Sequence, residues 1–140
     1  MTDDHPVPKL DTRVPNTARI WDWQLDGKDN FESDRTAAEA LNEACRAVGA
    51  PDGRDVARVN RAFIRRAVRF LVGSAGIGQF LDLGAGLPTR GNVHEIAQEI
   101  NSDTRTVYVD NEPMVAAHGR ALLAANHNTI MIEADVRDPD

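Results

Sequence analysis

The sequence predicts an α/β protein: an N-terminal helical cap followed by a partial βαβαβ parallel sheet. Three observations carry this expectation. Apolar residues recur at helical spacing in three consecutive segments before residue 75. From Gly76 onward, short runs rich in apolar or β-branched residues alternate with amphipathic stretches. The first of those runs, QFLDLGAGLPT, ends in an acid and a glycine turn, as a buried strand and its exit loop do. Strands that alternate with helices pair in parallel through right-handed crossovers, so the second part reads as half of a doubly wound sheet. Residues 1–75 form the arm and cap, and residues 76–140 the sheet part, within one structural unit.

Each element has a local reason. Residues 1–14 read as an extended arm, because Pro6, Pro8 and Pro15 interrupt helix and central strand alike. Asn16 to Leu25 is a short helix whose apolar surface comes from Ala18, Ile20, Trp21, Trp23 and Leu25. The two tryptophans cannot both face one core, and core packing is the expectation for them. Asp26-Gly27-Lys28-Asp29-Asn30 is turn chemistry and ends that helix. Phe31 to Val48 follows, with Ala37, Ala38, Leu41, Ala44, Cys45 and Val48 at helical spacing, until Gly49-Ala50-Pro51 stops it. The third helix, from about Arg54 to Val72, carries the stripe Val56, Val59, Phe63, Ala67, Phe70 and Leu71. After the first strand, NVHEIAQEI presents Val93, Ile96, Ala97 and Ile100 on one helical face. TVYVD is the second strand, Pro113 suits the first turn of a helix reaching about Ala125, and TIMIEAD is the third strand.

Composition excludes several classes. The chain has 140 residues, 16 basic against 22 acidic, and a net charge of −6. That balance argues against neutralising duplex phosphates over the whole surface, and no nucleic-acid partner is expected. The third helix holds Arg54, Arg58, Arg61, Arg65, Arg66 and Arg69, which read as a solvated face paired with the many acids. No stretch approaches the roughly 18 apolar residues that span a bilayer, so no membrane partner is expected. A single cysteine, Cys45, excludes a disulfide framework within the chain, and the four histidines lack metal-ligand spacing. A cytoplasmic setting follows from these features.

The most informative segment is Phe80-Leu-Asp82-Leu-Gly84-Ala-Gly86-Leu-Pro88-Thr89. A Gly-x-Gly turn straight after a strand lets a ligand approach the backbone closely and feeds a helix N-terminus. Asp110 closes the second strand, 24 residues beyond Gly86. A carboxylate there can accept hydrogen bonds from both ribose hydroxyls of an adenosine-type cofactor. Two features separate S-adenosylmethionine (SAM) from the nicotinamide dinucleotides. Thr89 stands where the dinucleotide fingerprint has its third glycine. Asp82 precedes the turn, where it would repel a pyrophosphate and attract an ammonium or sulfonium. Asp135, at the end of the third strand, can accept from an adenine amino group. Asn60 falls on the apolar stripe and needs a polar partner, either the cofactor region or neighbouring backbone. His94 and Glu95, at a helix start, are within reach of a ligand or form a supporting pair.

DLGAG, VYVD and EADVRD resemble the first three cofactor motifs of Rossmann-like SAM-dependent methyltransferases. The longer strings VPNTARIWDWQLDGKDNFESDR, NRAFIRRAVRFLV, GIGQFLDLGAGLPTRGNVHEIAQ, VYVDNEPMV and ADVRDP resemble the actinobacterial subfamily once called DUF574. The resemblance implies that Gly84 and Gly86 lie along the methionine and ribose portion of SAM, with Asp82 near the amino group. It implies that Asp110 holds the ribose diol with Asn111 beside it, and that Asp135 and Val136 border the adenine. The turn containing Lys28 and Asn30 would fold over the cofactor as a lid, with Arg13, Asn16, Arg19 and Asn60 in the same cap. The reaction implied is methyl transfer to an unknown acceptor, with a small molecule as the guess; no general base is assigned. A non-catalytic SAM- or adenosine-binding module, and an NAD-binding dehydrogenase half, are the alternatives. The family completes a seven-stranded sheet, whereas this chain reads as truncated after the third strand. Its first strand would then be an exposed edge, and self-association through that edge is expected.

Overall fold

The computed structural model describes residues 10–89, 91–123 and 126–138. Residues 1–9 of the arm expected over 1–14, and the expected helix end at Ala125, lie outside them. Helices α1 (Thr17–Gln24), α2 (Glu32–Ala47) and α3 (Gly53–Gly73) precede β1 (Gln79–Leu83), α4 (Val93–Ile100), β2 (Arg105–Asp110), α5 (Pro113–Leu123) and β3 (Thr129–Glu133). The strands form one parallel sheet in the order β1-β2-β3. The helical cap and the βαβαβ sheet are therefore both present.

Side chains alternate across a strand, so register decides which residues share a face. Asp82 lies opposite Tyr108, and Tyr108 opposite Met131. This face is covered: Tyr108, Phe80 and Met131 pack with Val68 and Val72 of α3, Val93, Ile96 and Ala97 of α4, and Leu123 of α5. The other face carries the row Leu81, Val107, Ile130 and the row Leu83, Val109, Ile132. There Leu81 is 63% exposed and Ile130 52%. β1, expected as a buried strand, is covered on one face only and is a sheet edge. Both crossover helices lie on the same side, as right-handed connections place them, which leaves the second face largely uncovered among the described residues, with Val109 buried on it.

The cap is held by polar contacts more than by the stripes that periodicity suggests. In α2 the buried positions are Asp34, Ala38 and Asn42, while Leu41 and Val48 face out. Asn42 exchanges hydrogen bonds with Gln24 of α1 at 2.9 and 3.1 Å and accepts from the Gly53 N–H at 2.8 Å. Asp34 accepts from Arg19 Nε, Asn16 N and Phe31 N, each at 2.8 Å. These partners fix the buried face, and the apolar residues one position away stay outside. In α3, likewise, Ala57, Val68 and Val72 are buried, whereas Val56, Val59, Phe63 and Phe70 of the expected stripe are exposed. α3 is apolar on two faces, and the small and branched residues are those that fit against α4 and the sheet. Neither tryptophan joins the apolar core: Trp21 is exposed, and Trp23 lies under Arg54, whose guanidinium is 4.8 Å from its ring centroid.

Turns close the cap. Asp22 of α1 is buried and accepts from Asp29 N and Asn30 Nδ2, both at 2.8 Å. Gly27 is needed for this approach, since a Cβ there would fall 2.0 Å from Asp22 Oδ1. The arginines of α3 divide. Arg54 and Arg58 pair with Asp26 and Arg69 with Glu99, as a solvated face would. Arg61 departs from that expectation, because it points inward and is half-buried. Among the described residues no helix is long and apolar enough to cross a membrane.

Candidate functional site

β1 delivers the chain into the glycine turn, where Gly84 has φ +71° and Gly86 φ +69°. An L side chain at those angles is strained, and a Cβ at either position would meet nothing within 4 Å. The glycines thus serve backbone conformation and leave the face of the loop open. The loop is tied to the end of β2: Gly84 N and Ala85 N donate to Val109 O at 2.8 and 3.2 Å, and Gly86 N donates to Asp110 Oδ2 at 2.9 Å. The other oxygen, Asp110 Oδ1, accepts from Glu112 N at 2.9 Å. Asp110 therefore orients both the glycine turn and the start of α5. Nothing in the sequence reading signalled this second duty. Each carboxylate oxygen keeps further acceptor capacity for a ligand.

Beside this loop runs a crevice of about 590 Å³ between α1, α3 and the C-terminal ends of β1 and β2. Its size is within the roughly 300–1,000 Å³ of small-molecule sites. Asn60, Asp82, Gly84, Gly86, Asp110 and Asn111 all line it, so six of the residues expected from sequence come together. Arg61 and Trp21 line it as well. Asp82 and Asp110 lie on one face of the sheet. Asp110 is two residues past Tyr108, the partner of Asp82, which puts the two acids roughly 8 Å apart at ~3.3 Å per residue and ~4.8 Å between strands. Burial pushes the Asp82 carboxyl above its ordinary value; Arg61 opposes this and Asp110 adds to it.

Beneath the loop, His94 and Tyr108 are locked together. Tyr108 Oη accepts from His94 N at 2.9 Å and lies 2.8 Å from His94 Nδ1. Burial lowers the His94 pKa and raises that of Tyr108, so the phenol keeps its proton, the imidazole stays neutral, and a single hydrogen bond joins Oη and Nδ1. The pair is a support for the loop. At the start of α4, Gly91 N and Asn92 N both donate to Glu95 Oε2 at 2.8 Å. Three N–H groups of this helix start are thus satisfied internally, and a carboxylate stands where an anionic ligand would sit.

The chain matches the family model described as S-adenosyl methyltransferase over residues 3–140. It belongs to that family. Two solved structures are similar to it. A candidate methyltransferase from Thermobifida fusca YX is 54% identical, with a TM-score of 0.85, over 96% of this chain and 48% of the other. A DUF574 family protein from Streptomyces avermitilis MA-4680 is 41% identical, with a TM-score of 0.83, over 92% of this chain and 48% of the other. The chain thus spans about half the length of the structures it matches. No curated protein matches it.

The other residues expected to matter in this S-adenosyl methyltransferase chain divide between the crevice and its surroundings. Lys28 and Asn30 line a neighbouring hollow between the α1–α2 turn and α5. Asn30 is held in the turn, its Nδ2 donating to Asp22 and its Oδ1 accepting from Arg35 at 3.1 Å. Asp135 is engaged by Arg137, whose guanidinium and backbone N–H hold its carboxyl far below the usual range, and Asn111 Nδ2 lies 3.5 Å from it. Val136 is exposed next to it. Asn60 lines the crevice but is exposed, so its side chain, which makes no hydrogen bond among the described residues, does not need the polar partner expected for a buried stripe. Asn16 caps α1 and donates from Nδ2 to Glu112 Oε2 at 2.8 Å, which ties the cap to the loop after β2. Arg19 is buried against Asp34, and Arg13 is an exposed partner of Asp11.

Proposed function

We propose that this chain binds SAM in the crevice between cap and sheet and is the cofactor-holding part of a methyltransferase. The observation that carries this is the pairing of two acids on one sheet face with an open Gly-x-Gly loop between them. Asp110 would accept from the ribose hydroxyls, Gly84 and Gly86 would let the ligand lie against the backbone, and Asp82 would face its cationic end. Asn111 would lie on the side toward the base, and Asp135 and Val136, outside the crevice lining, would border the adenine beyond it. SAM, when bound, supplies a methyl group on a sulfonium whose departure leaves a neutral thioether. The protein's share is then to orient the ligand and exclude water. His94 and Tyr108 bind each other and are not offered as a general base. The acceptor is proposed to be a small molecule.

The internally satisfied start of α4 speaks against the dinucleotide reading, because a pyrophosphate would meet the Glu95 carboxylate in place of free N–H groups. The single cysteine supports a cytoplasmic setting. Calorimetric titration of the chain with SAM tests the proposal. Wild type should bind, and Asp110→Ala should lose on the order of 1.5–3 kcal/mol for each lost charged hydrogen bond. A folded wild-type chain that takes up no SAM overturns it.

A further inference from the structure

The inner end of the crevice holds two opposite charges that do not pair with each other. Asp82 of β1 and Arg61 of α3 both line it. Among the described residues no carboxylate lies within 4.0 Å of the Arg61 guanidinium, and it makes no side-chain hydrogen bond. Its sister arginines on the same helix, Arg54, Arg58 and Arg69, each have an acidic partner. A half-buried guanidinium with no direct ion-pair or hydrogen-bond partner is costly, since burial favours its neutral form and Asp82 and Glu95 oppose this only through space. Its ordinary solution would be to face water like its neighbours. The planar fork of an arginine fits a carboxylate with two parallel hydrogen bonds.

The two groups also sit at the correct end. Asp110, proposed for the ribose, is nearer the mouth, and Asp82 and Arg61 lie deeper, toward Tyr108 and α3. A ligand lying from Asp110 inward would bring its far end between them. An acid and a base side by side are complementary to an α-amino acid zwitterion.

Resting on the SAM reading above, we infer that Arg61 is the specificity residue for the ligand's amino-acid end, binding its carboxylate while Asp82 accepts from its ammonium. Asp82 alone would favour any cation; Arg61 makes the site select a zwitterion and disfavour an amine that lacks the carboxylate. Electrostatic selection of this kind works by repulsion of the wrong ligand as well as attraction of the right one.

The test compares three probes by calorimetry on the full chain: S-adenosylhomocysteine, its decarboxylated amine, and 5′-methylthioadenosine, which has neither charged group. Wild type should prefer S-adenosylhomocysteine over the amine by about tenfold to a hundredfold, the range of a charged hydrogen bond. Arg61→Gln should bring that ratio close to one, through weaker S-adenosylhomocysteine binding and unchanged or tighter amine binding, with 5′-methylthioadenosine held within about twofold. Arg61→Lys keeps the charge without the fork and should retain an intermediate ratio, a second reading if the glutamine variant does not fold. A wild-type ratio near one, or an Arg61→Gln variant that weakens all three probes alike, overturns the assignment while leaving the SAM site standing. Failure of wild type to bind any of the three removes the SAM reading itself.

Discussion

Replacing Asp34 by alanine should destabilise the cap more than any other single change in it. Asp34 is fully buried and Arg19 is 3% exposed. The carboxylate accepts three hydrogen bonds, all at 2.8 Å, from Arg19 Nε and from the backbone of Asn16 and Phe31. Three bonds to a charged acceptor at ~1.5–3 kcal/mol each set an upper limit, because the site relaxes when the acceptor goes. Removal of one member of a buried ion pair costs about 3–5 kcal/mol, mostly from the charge left behind. Here that charge is Arg19, whose other hydrogen-bond acceptor is Val14 O. A chain of 140 residues has a total stability of about 7–21 kcal/mol at ~0.05–0.15 kcal/mol per residue, so the loss is a large fraction. The melting temperature should fall by about 10–20 °C. Both tryptophans of the chain, Trp21 and Trp23, are in α1, so urea titration followed by tryptophan fluorescence reads the cap directly. The double variant Arg19→Met with Asp34→Leu, which removes both charges, should recover much of the loss. A fluorescence midpoint for Asp34→Ala that corresponds to less than about 1 kcal/mol would refute the reasoning. So would a double variant no more stable than the single one.

Two further outcomes follow from the sheet part. SAM affinity should fall as the pH is lowered from about 7, because the cationic ligand needs ionised Asp82, whose buried carboxyl takes up its proton above the ordinary carboxylate value. Asp82→Asn should weaken binding at neutral pH and flatten that dependence in a calorimetric series; an unchanged slope counts against the role. The largely uncovered sheet face and the β1 edge should make the chain self-associate, and Leu81→Lys with Leu83→Lys should raise the monomer fraction in light scattering. A wild-type chain that runs as a monodisperse monomer with a cooperative melt contradicts this.

The elements were legible because each is punctuated locally. Asp26-Gly27-Lys28-Asp29-Asn30 and Gly49-Ala50-Pro51 end helices, Pro113 opens α5, and the glycine turn follows β1. The gathering of Asp82, Gly84, Gly86 and Asp110 was legible for a related reason: parallel strands place their C-terminal ends on one edge, so residues at those ends meet whatever the helices do. Which helix face is buried was not legible. α3 offers Val59, Phe63 and Phe70 on one side and Ile64, Val68 and Val72 on the other, and periodicity alone cannot rank two apolar faces. α2 is the harder case, since its buried face is led by Asp34 and Asn42, and only their partners on α1 reveal why. Arg61 was hidden among six arginines of one helix, five of which read correctly as surface or have no partner that sets them apart.

The cap and the site are mechanically one object. Asn16 caps α1 through its Oδ1 and, through its Nδ2, holds the Glu112 carboxylate. The Glu112 backbone N–H donates to Asp110, and the second oxygen of Asp110 holds Gly86. A continuous chain of hydrogen bonds therefore runs from the first helix, through two acids of the β2–α5 junction, to the glycine loop. Asn16 also donates its backbone N–H to Asp34, so the buried ion pair of the cap is the far anchor of the same chain. A ligand bound as proposed at Asp110 and Gly86 should stabilise the docked cap, and a cap loosened at Asp34 should give up alignment at Asp110. Linkage of binding and cap stability would then run in both directions, and a variant distant from the crevice such as Asp34→Ala is expected to change SAM affinity without touching the ligand.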